Sequence, residues 1–244
     1  MRVGVVKQVA SKRRIAFVYA RPGLNNVLMK YMPFGMSTLR ILAREKNIEI
    51  DFYVTETQDS DYEALLPINI RIIYLENRYI FRFGLGIGLF ATLSVYFWYK
   101  TLFKRYAEVW GNGQVGNVLA SRLAKKSHCD FILLNDEFPD VYNLHIWYLA
   151  EICALKRADW IIEPDESRFS ILNGKLDGIL SNKNNFVFPN IPLQSDTIET
   201  TQVRNFKQEL KIPSNDHIFL YAGGMSTKAF SVELILSVFP YSAK

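Results

Sequence analysis

The stretch Glu108-Val109-Trp110-Gly111-Asn112-Gly113-Gln114-Val115-Gly116 decides how this chain folds. Its first three residues suit the end of a strand, with a β-branched and an aromatic side chain in succession. Gly111 and Gly113 then interrupt the extended pattern. Beyond them Val115, Val118, Leu119 and Leu123 fall on one side of a helix. A strand that passes through glycine straight into an amphipathic helix is half of a crossover connection, and crossovers join parallel strands.

The same alternation runs outward in both directions. Upstream, residues 15–20 form a β-rich apolar run that stops at Arg21-Pro22-Gly23. A helix follows with Met36, Leu39, Leu42 and Ala43 on one face, then strands over 48–54 and 70–75. Downstream come a buried-type strand at 131–134, a helix over 144–155 and a strand at 160–162. Asp165 is placed to cap a helix over 166–172, and a short strand at 186–188 ends at Pro189. These elements predict an α/β fold, a Rossmann-like parallel sheet with helices on both faces. Ligands of such sheets bind outside the carboxyl ends of the strands.

Residues 1–194 read as one domain and the polar stretch 195–212 as a linker, with a helix reaching about residue 210. In 213–244 a strand at 217–222 runs into Gly223-Gly224 and a further helix begins near Ser231. One strand and one helix cannot bury a core, so this segment reads as the first βα unit of a second Rossmann-like domain, cut short.

Composition narrows the function classes. With 49% of its 244 residues apolar, the chain can bury a substantial core. The excess of 29 basic over 24 acidic residues is modest and forms no dense cationic stripe, which argues against nucleic acid. Cys129 and Cys153 lack metal or redox spacing and fit a reducing, cytoplasmic setting. His128, His145 and His217 are far apart in sequence, so no metal is expected. Residues 83–99 carry no charge and are flanked by Arg78, Arg82, Lys100, Lys104 and Arg105. Gly84, Gly86 and Gly88 weaken helix formation there, and a buried or surface-lying helix is expected rather than a membrane span. Tyr96, Trp98 and Tyr99 beside three cations suit an interface.

Three loops could carry chemistry. Gly111-Asn112-Gly113-Gln114-Val115-Gly116 matches G-x-G-x-x-G, and Asp136 follows about 20 residues further on, as a dinucleotide fingerprint requires. One reading is therefore an NAD(P)-dependent oxidoreductase; the other is a tight strand-to-helix turn. Asn135-Asp136-Glu137-Phe138-Pro139-Asp140 follows a strand, so Asp136 or Glu137 can accept substrate hydroxyls or act as a base, or form a solvated acidic loop. In Ala222-Gly223-Gly224-Met225-Ser226-Thr227-Lys228, glycines would let backbone N–H groups meet phosphate oxygens, with Lys228 as a mobile cation.

Taken together, three segments resemble the large retaining, GT-B-fold glycosyltransferase family known as group 1 or family 4. Lys156-Arg157-Ala158-Asp159-Trp160-Ile161-Ile162 is similar to a family strand that is followed by a helix. Phe186-Val187-Phe188-Pro189-Asn190-Ile191-Pro192 resembles the end of the acceptor-side domain. Ile212-Pro213-Ser214-Asn215-Asp216-His217-Ile218-Phe219-Leu220-Tyr221-Ala222-Gly223-Gly224 resembles the start of the donor-side domain. The resemblance implies transfer of a sugar from a nucleotide-sugar donor to a lipid-linked or glycan acceptor, with no metal or other cofactor. It implies catalytic roles for Asp136 and Glu137, donor binding by Gly223, Gly224 and Lys228, and acceptor binding by Gly23, Gly111 and Gly113. It also implies a cytoplasmic protein in peripheral contact with the inner membrane face. Two departures stand out: Asp136 occupies the place of a family histidine, and Met225 to Thr227 replace a donor-side arginine. The family's donor-binding carboxylate motif lies further on than residue 244, so the chain by itself is expected to transfer no sugar. A non-enzymatic membrane protein anchored by residues 83–99 is the remaining alternative.

Overall fold

The computed structural model describes residues 12–20, 33–55, 63–64, 66–75, 87–135, 146–189, 211 and 213. The chain divides into two compact units, Met1–Thr197 and Ile198–Lys244. All the elements below belong to the first.

Seven parallel strands form one sheet in the order β3-β2-β1-β4-β5-β6-β7. They are β1 (Arg13–Tyr19), β2 (Ile48–Val54), β3 (Ile70–Tyr74), β4 (Glu108–Asn112), β5 (Asp130–Leu134), β6 (Trp160–Glu163) and β7 (Asn184–Val187). Among the described residues five helices accompany them: α1 (Pro33–Ala43), α2 (Ile87–Thr101), α3 (Gln114–Ser127), α4 (Ile146–Arg157) and α5 (Glu166–Lys175). The α/β, Rossmann-like expectation therefore holds, helices on both faces included. The central strands carry apolar side chains on both faces, as in Ile15 to Tyr19 and Phe131 to Leu134, because both faces are covered. Ile15, Phe17 and Tyr19 pack with Phe34, Met36 and Leu39 of α1 on one face. Ala16 and Val18 pack on the other face with Leu93 and Phe97 of α2, Val115 and Leu119 of α3, and Ala154 and Leu155 of α4.

The placement of the helices follows from the strand order. The chain steps outward from β1 to β3 on one side of the sheet. It then crosses to β4 and steps the opposite way to β7. Right-handed crossovers put the helix after β1 on one face and the helices after β4 on the other. The strand order reverses between β1 and β4, which are hydrogen-bonded neighbours with Tyr19 opposite Asn112.

Most of α2, described over Ile87–Thr101, lies within the apolar segment. Its 15 residues rise about 22 Å, short of the hydrocarbon thickness of about 30 Å. Among the described residues no helix is long and apolar enough to cross a membrane. Leu93 and Phe97 are buried, whereas Val95, Trp98 and Tyr99 are exposed. The last described strand, β7 at Asn184–Val187, starts two residues earlier than its apolar residues suggest. Ladder pairing of Trp160 with Asn184 and of Glu163 with Val187 overrides the poor strand propensity of asparagine.

A buried carboxylate ties the amino-terminal half of the sheet together. Asp51 of β2 is 3% exposed. Arg71 of β3 donates to its Oδ1 from Nε at 3.0 Å and from Nη2 at 2.6 Å. Arg14 of β1 approaches Oδ2 at 3.0 Å and Lys104 at 3.3 Å. The Tyr106 hydroxyl donates to Oδ2 at 2.6 Å and lies 2.6 Å from the Tyr53 hydroxyl, to which Lys104 also donates at 2.9 Å. Burial alone would raise the Asp51 pKa. The Tyr106 hydrogen bond and the charges of Lys104, Arg71 and Arg14 outweigh it and hold the carboxyl below its ordinary value.

A carboxyl with a depressed folded pKa contributes stability above its unfolded value and loses it as the pH falls through the folded one. Asp51→Ala strands three cations and should cost about 3–5 kcal/mol at pH 7. The difference between wild type and variant in urea unfolding should shrink as the pH is lowered below about 4. An unchanged difference there would remove Asp51 ionisation from the account.

Candidate functional site

The carboxyl edge of the sheet, where the order reverses between β1 and β4, is where ligands of this fold class bind. Three glycines shape it. At Gly116, in the first turn of α3, an added Cβ would stand 2.7 Å from the Val18 carbonyl oxygen and 2.8 Å from the Ala20 nitrogen. Both are backbone atoms that cannot swing aside, so only glycine lets α3 rest on the end of β1. The Gly116 N–H then donates to the Ala20 carbonyl at 2.9 Å. At Gly111 the obstacle is α3 itself, with Asn117 Cα and Ala120 Cβ both at 2.9 Å. Gly113 caps the helix with φ 73°, a conformation that disfavours any side chain, and no side chain caps the helix in its place. The glycine motif thus works as a packing device that brings β1, β4 and α3 together.

Polar groups gather along this edge. Asn112, the last residue of β4, is fully buried. Neither its amide nitrogen nor its carbonyl oxygen has a hydrogen-bond partner. Gln114 donates to Glu151 of α4 at 3.1 Å. Asn135, just after β5, donates to Oε1 of Glu163 at 2.7 Å, and the Glu163 Oε2 meets Arg168 Nε at 3.4 Å. Glu163 is fully buried at the end of β6. Burial raises its pKa to about 7, against the opposing pull of the Asn135 hydrogen bond and the Arg168 charge. A carboxyl poised there at neutral pH can hold or release a proton under ordinary conditions. Asp165 caps α5 by accepting from the Arg168 N–H at 3.1 Å, as its position in the sequence predicts, and so directs Arg168 back toward Glu163.

Of the residues singled out by sequence, Gly111 and Gly113 stand at this edge, Gly111 against α3 and Gly113 at its cap. Gly23, Asp136, Glu137, Gly223, Gly224 and Lys228 lie outside the described residues, as do the linker apart from residue 211 and the strand expected at 217–222. Among the described residues no three His, Cys, Asp or Glu side chains gather to hold a metal. Asn112, Asn135, Glu151, Glu163 and Arg168 were not singled out. Glu163 carried a legible signal, a carboxylate ending an apolar strand. Asn112 was hidden as a variable position inside the glycine motif.

No protein-family model matches the sequence, and no curated protein matches it. Solved structures do resemble its fold. Sucrose-phosphate synthase from Thermosynechococcus elongatus superposes with a TM-score of 0.54 at 11% identity, covering 83% of this chain and 53% of that one. A UDP-N-acetylglucosamine 2-epimerase superposes with a TM-score of 0.50 at 14% identity, covering 74% of this chain and 49% of that one. At such identities the likeness is one of fold. The chain has a seven-stranded Rossmann-like domain of the kind found in GT-B proteins. It spans about half the length of these two structures.

The raised pKa of Glu163 has a stability consequence. The folded chain holds this proton more tightly than the unfolded one. Its contribution is therefore complete below the ordinary value of 4.5 and lost as the pH rises toward about 7. Glu163→Gln, which keeps an acceptor for Asn135, should become more stable than wild type by about 2–3 kcal/mol at pH 8, with little advantage at pH 4.5. Urea unfolding at the two pH values checks this. A variant less stable at both would mean that an ionised pair with Arg168 stabilises the fold.

Proposed function

We propose that this chain is the acceptor-side lobe of a glycosyltransferase that moves a sugar from a nucleotide-sugar donor to a lipid-linked or glycan acceptor. The observation that carries the reading is the seven-stranded parallel sheet with its reversal between β1 and β4, shared in fold with a sucrose-phosphate synthase and a UDP-N-acetylglucosamine 2-epimerase. The three sequence segments that resemble the retaining group 1 family support it, in their order and spacing. The acceptor is assigned to this edge, beside Gly23, Gly111 and Gly113. Asp136 and Glu137 follow Asn135, the residue just after β5 at the same edge, and are assigned to proton transfer or to holding substrate hydroxyls. Gly223, Gly224 and Lys228 are assigned to the donor diphosphate, whose developing negative charge backbone N–H groups and a lysine would stabilise. Residues 195–212 are read as the link to a donor-side domain that starts near residue 213. No metal is invoked.

A peripheral membrane contact fits the exposed face of α2. There Val95, Trp98 and Tyr99 project beside Lys100, whose ammonium lies 5.3 Å from the Tyr96 ring centre. Such a contact would bring a lipid-linked acceptor to the cytoplasmic side of a membrane.

The rival dinucleotide reading places a pyrophosphate at Gly111 to Gly116. Close packing of Gly111 and Gly116 on protein backbone gives those glycines a purpose without a cofactor. Isothermal titration separates the two. UDP should bind saturably, Lys228→Ala should weaken it about tenfold, and NADH should give no saturable signal. Saturable NADH binding without UDP binding would replace sugar transfer by oxidoreduction.

A further inference from the structure

Asn112 is an anomaly that the fold does not explain. Its side chain is fully buried, yet both polar atoms of its carboxamide lack a hydrogen-bond partner. Buried polar side chains are nearly always bonded, and leaving a donor and an acceptor unmet opposes folding. Asn117 Oδ1 and Ser127 Oγ are also buried without a partner, but among the described residues Asn112 alone has both atoms of a carboxamide unmet. Asn69, by contrast, donates to two carbonyls, and Asn135 donates to Glu163. Only the backbone of Asn112 is engaged, its carbonyl accepting from Ala20 N–H at 3.4 Å.

Its place is equally specific. Asn112 closes β4 between Tyr19 of β1 and Leu134 of β5, at the reversal of strand order. One residue further on, Gly113 opens α3 with no capping side chain, so the first N–H groups of that helix also lack a side-chain acceptor. An orphan donor and acceptor beside an uncapped helix start, where sheets of this class bind ligands, make a site waiting for a partner.

We propose that the Asn112 carboxamide recognises a hydroxyl of the acceptor, donating to its oxygen and accepting its proton. The described charges along this edge favour a neutral partner over an anion. Glu151 sets a carboxyl against the guanidinium of Arg168, and Glu163 adds no positive charge in either protonation state, so no cationic excess is described there to call for an anion. A sugar hydroxyl is both donor and acceptor, as is a carboxamide, so the two pair in a way a phosphate cannot. The class of ligand rests on the sugar-transfer reading; the unmet amide does not.

The test uses the intact chain and two substitutions, Asn112→Leu, which keeps the approximate shape, and Asn112→Ala. Removing an unbonded buried amide should raise the melting midpoint of Asn112→Leu by about 2–4 °C. Saturation-transfer NMR with millimolar methyl α-glucoside, methyl α-mannoside and methyl N-acetyl-β-glucosaminide should give signals with wild type that both variants lose. A lower midpoint for both variants would show that the amide is already bonded in the free protein, through ordered water for instance, and would overturn the proposal. So would unchanged glycoside signals in the variants, or no signal from any glycoside with wild type. Glycoside binding that depends on Asn112 in a chain that binds no UDP would leave this inference standing while the transfer reading falls.

Discussion

Helix α3 rests on the carboxyl ends of β1 and β4 so closely that a single added carbon at Gly116 would meet two backbone atoms of β1 under 3 Å away. Much of the architecture depends on that contact. It fixes where the strand order reverses, because the end of β1, the end of β4 and the start of α3 converge there. It carries Val115, Val118 and Leu119 onto the sheet, where they join the larger of the two apolar clusters. It also engages the first turn of α3, whose Gly116 N–H donates to the Ala20 carbonyl while no side chain caps the helix.

The two edges of the sheet treat polar groups in opposite ways. At the amino-terminal side a buried carboxylate is met by two arginines, a lysine and a tyrosine hydroxyl, and the bonding closes on itself. Such a cluster fixes β1, β2 and β3 in register, and its worth lies in what its loss would strand. At the carboxyl edge Glu163 is held by one good hydrogen bond and a 3.4 Å contact, and Asn112 by none through its side chain. Stability is concentrated where no substrate is expected. The one carboxamide with both atoms unmet among the described residues lies at the edge where ligands of this fold class bind, as expected when function draws on groups that folding alone would avoid.

Much of this was legible in the sequence because it is local. Each strand from β1 to β6 was announced by a run of β-branched and aromatic residues, and each described helix by an apolar face or a cap such as Asp165. The glycine spacing at 111–116 correctly announced a strand turning into a helix. Its purpose was ambiguous, since the same three glycines serve either a pyrophosphate or close packing. Strand order was not legible, because alternation of strands and helices fixes parallel pairing but not which strands are neighbours. Nor was the Asp51 cluster: its partners lie 20 to 55 positions away, brought together by the register of β1, β2 and β3 and by the connection into β4 that carries Lys104 and Tyr106. Asn112 was invisible for the complementary reason, because nothing local reveals that a polar side chain lacks a partner.

The central claim is that ligand enters at the reversal between β1 and β4. Amide shift mapping locates it most directly, with backbone resonances assigned and a nucleotide sugar and a methyl glycoside added together. The account predicts that the largest glycoside-dependent shifts fall on Ala20, Asn112, Gly113 and Gln114, with Arg14, Asp51 and Arg71 unmoved. Shifts centred on the Asp51 cluster or on the exposed face of α2, with the reversal silent, would contradict it.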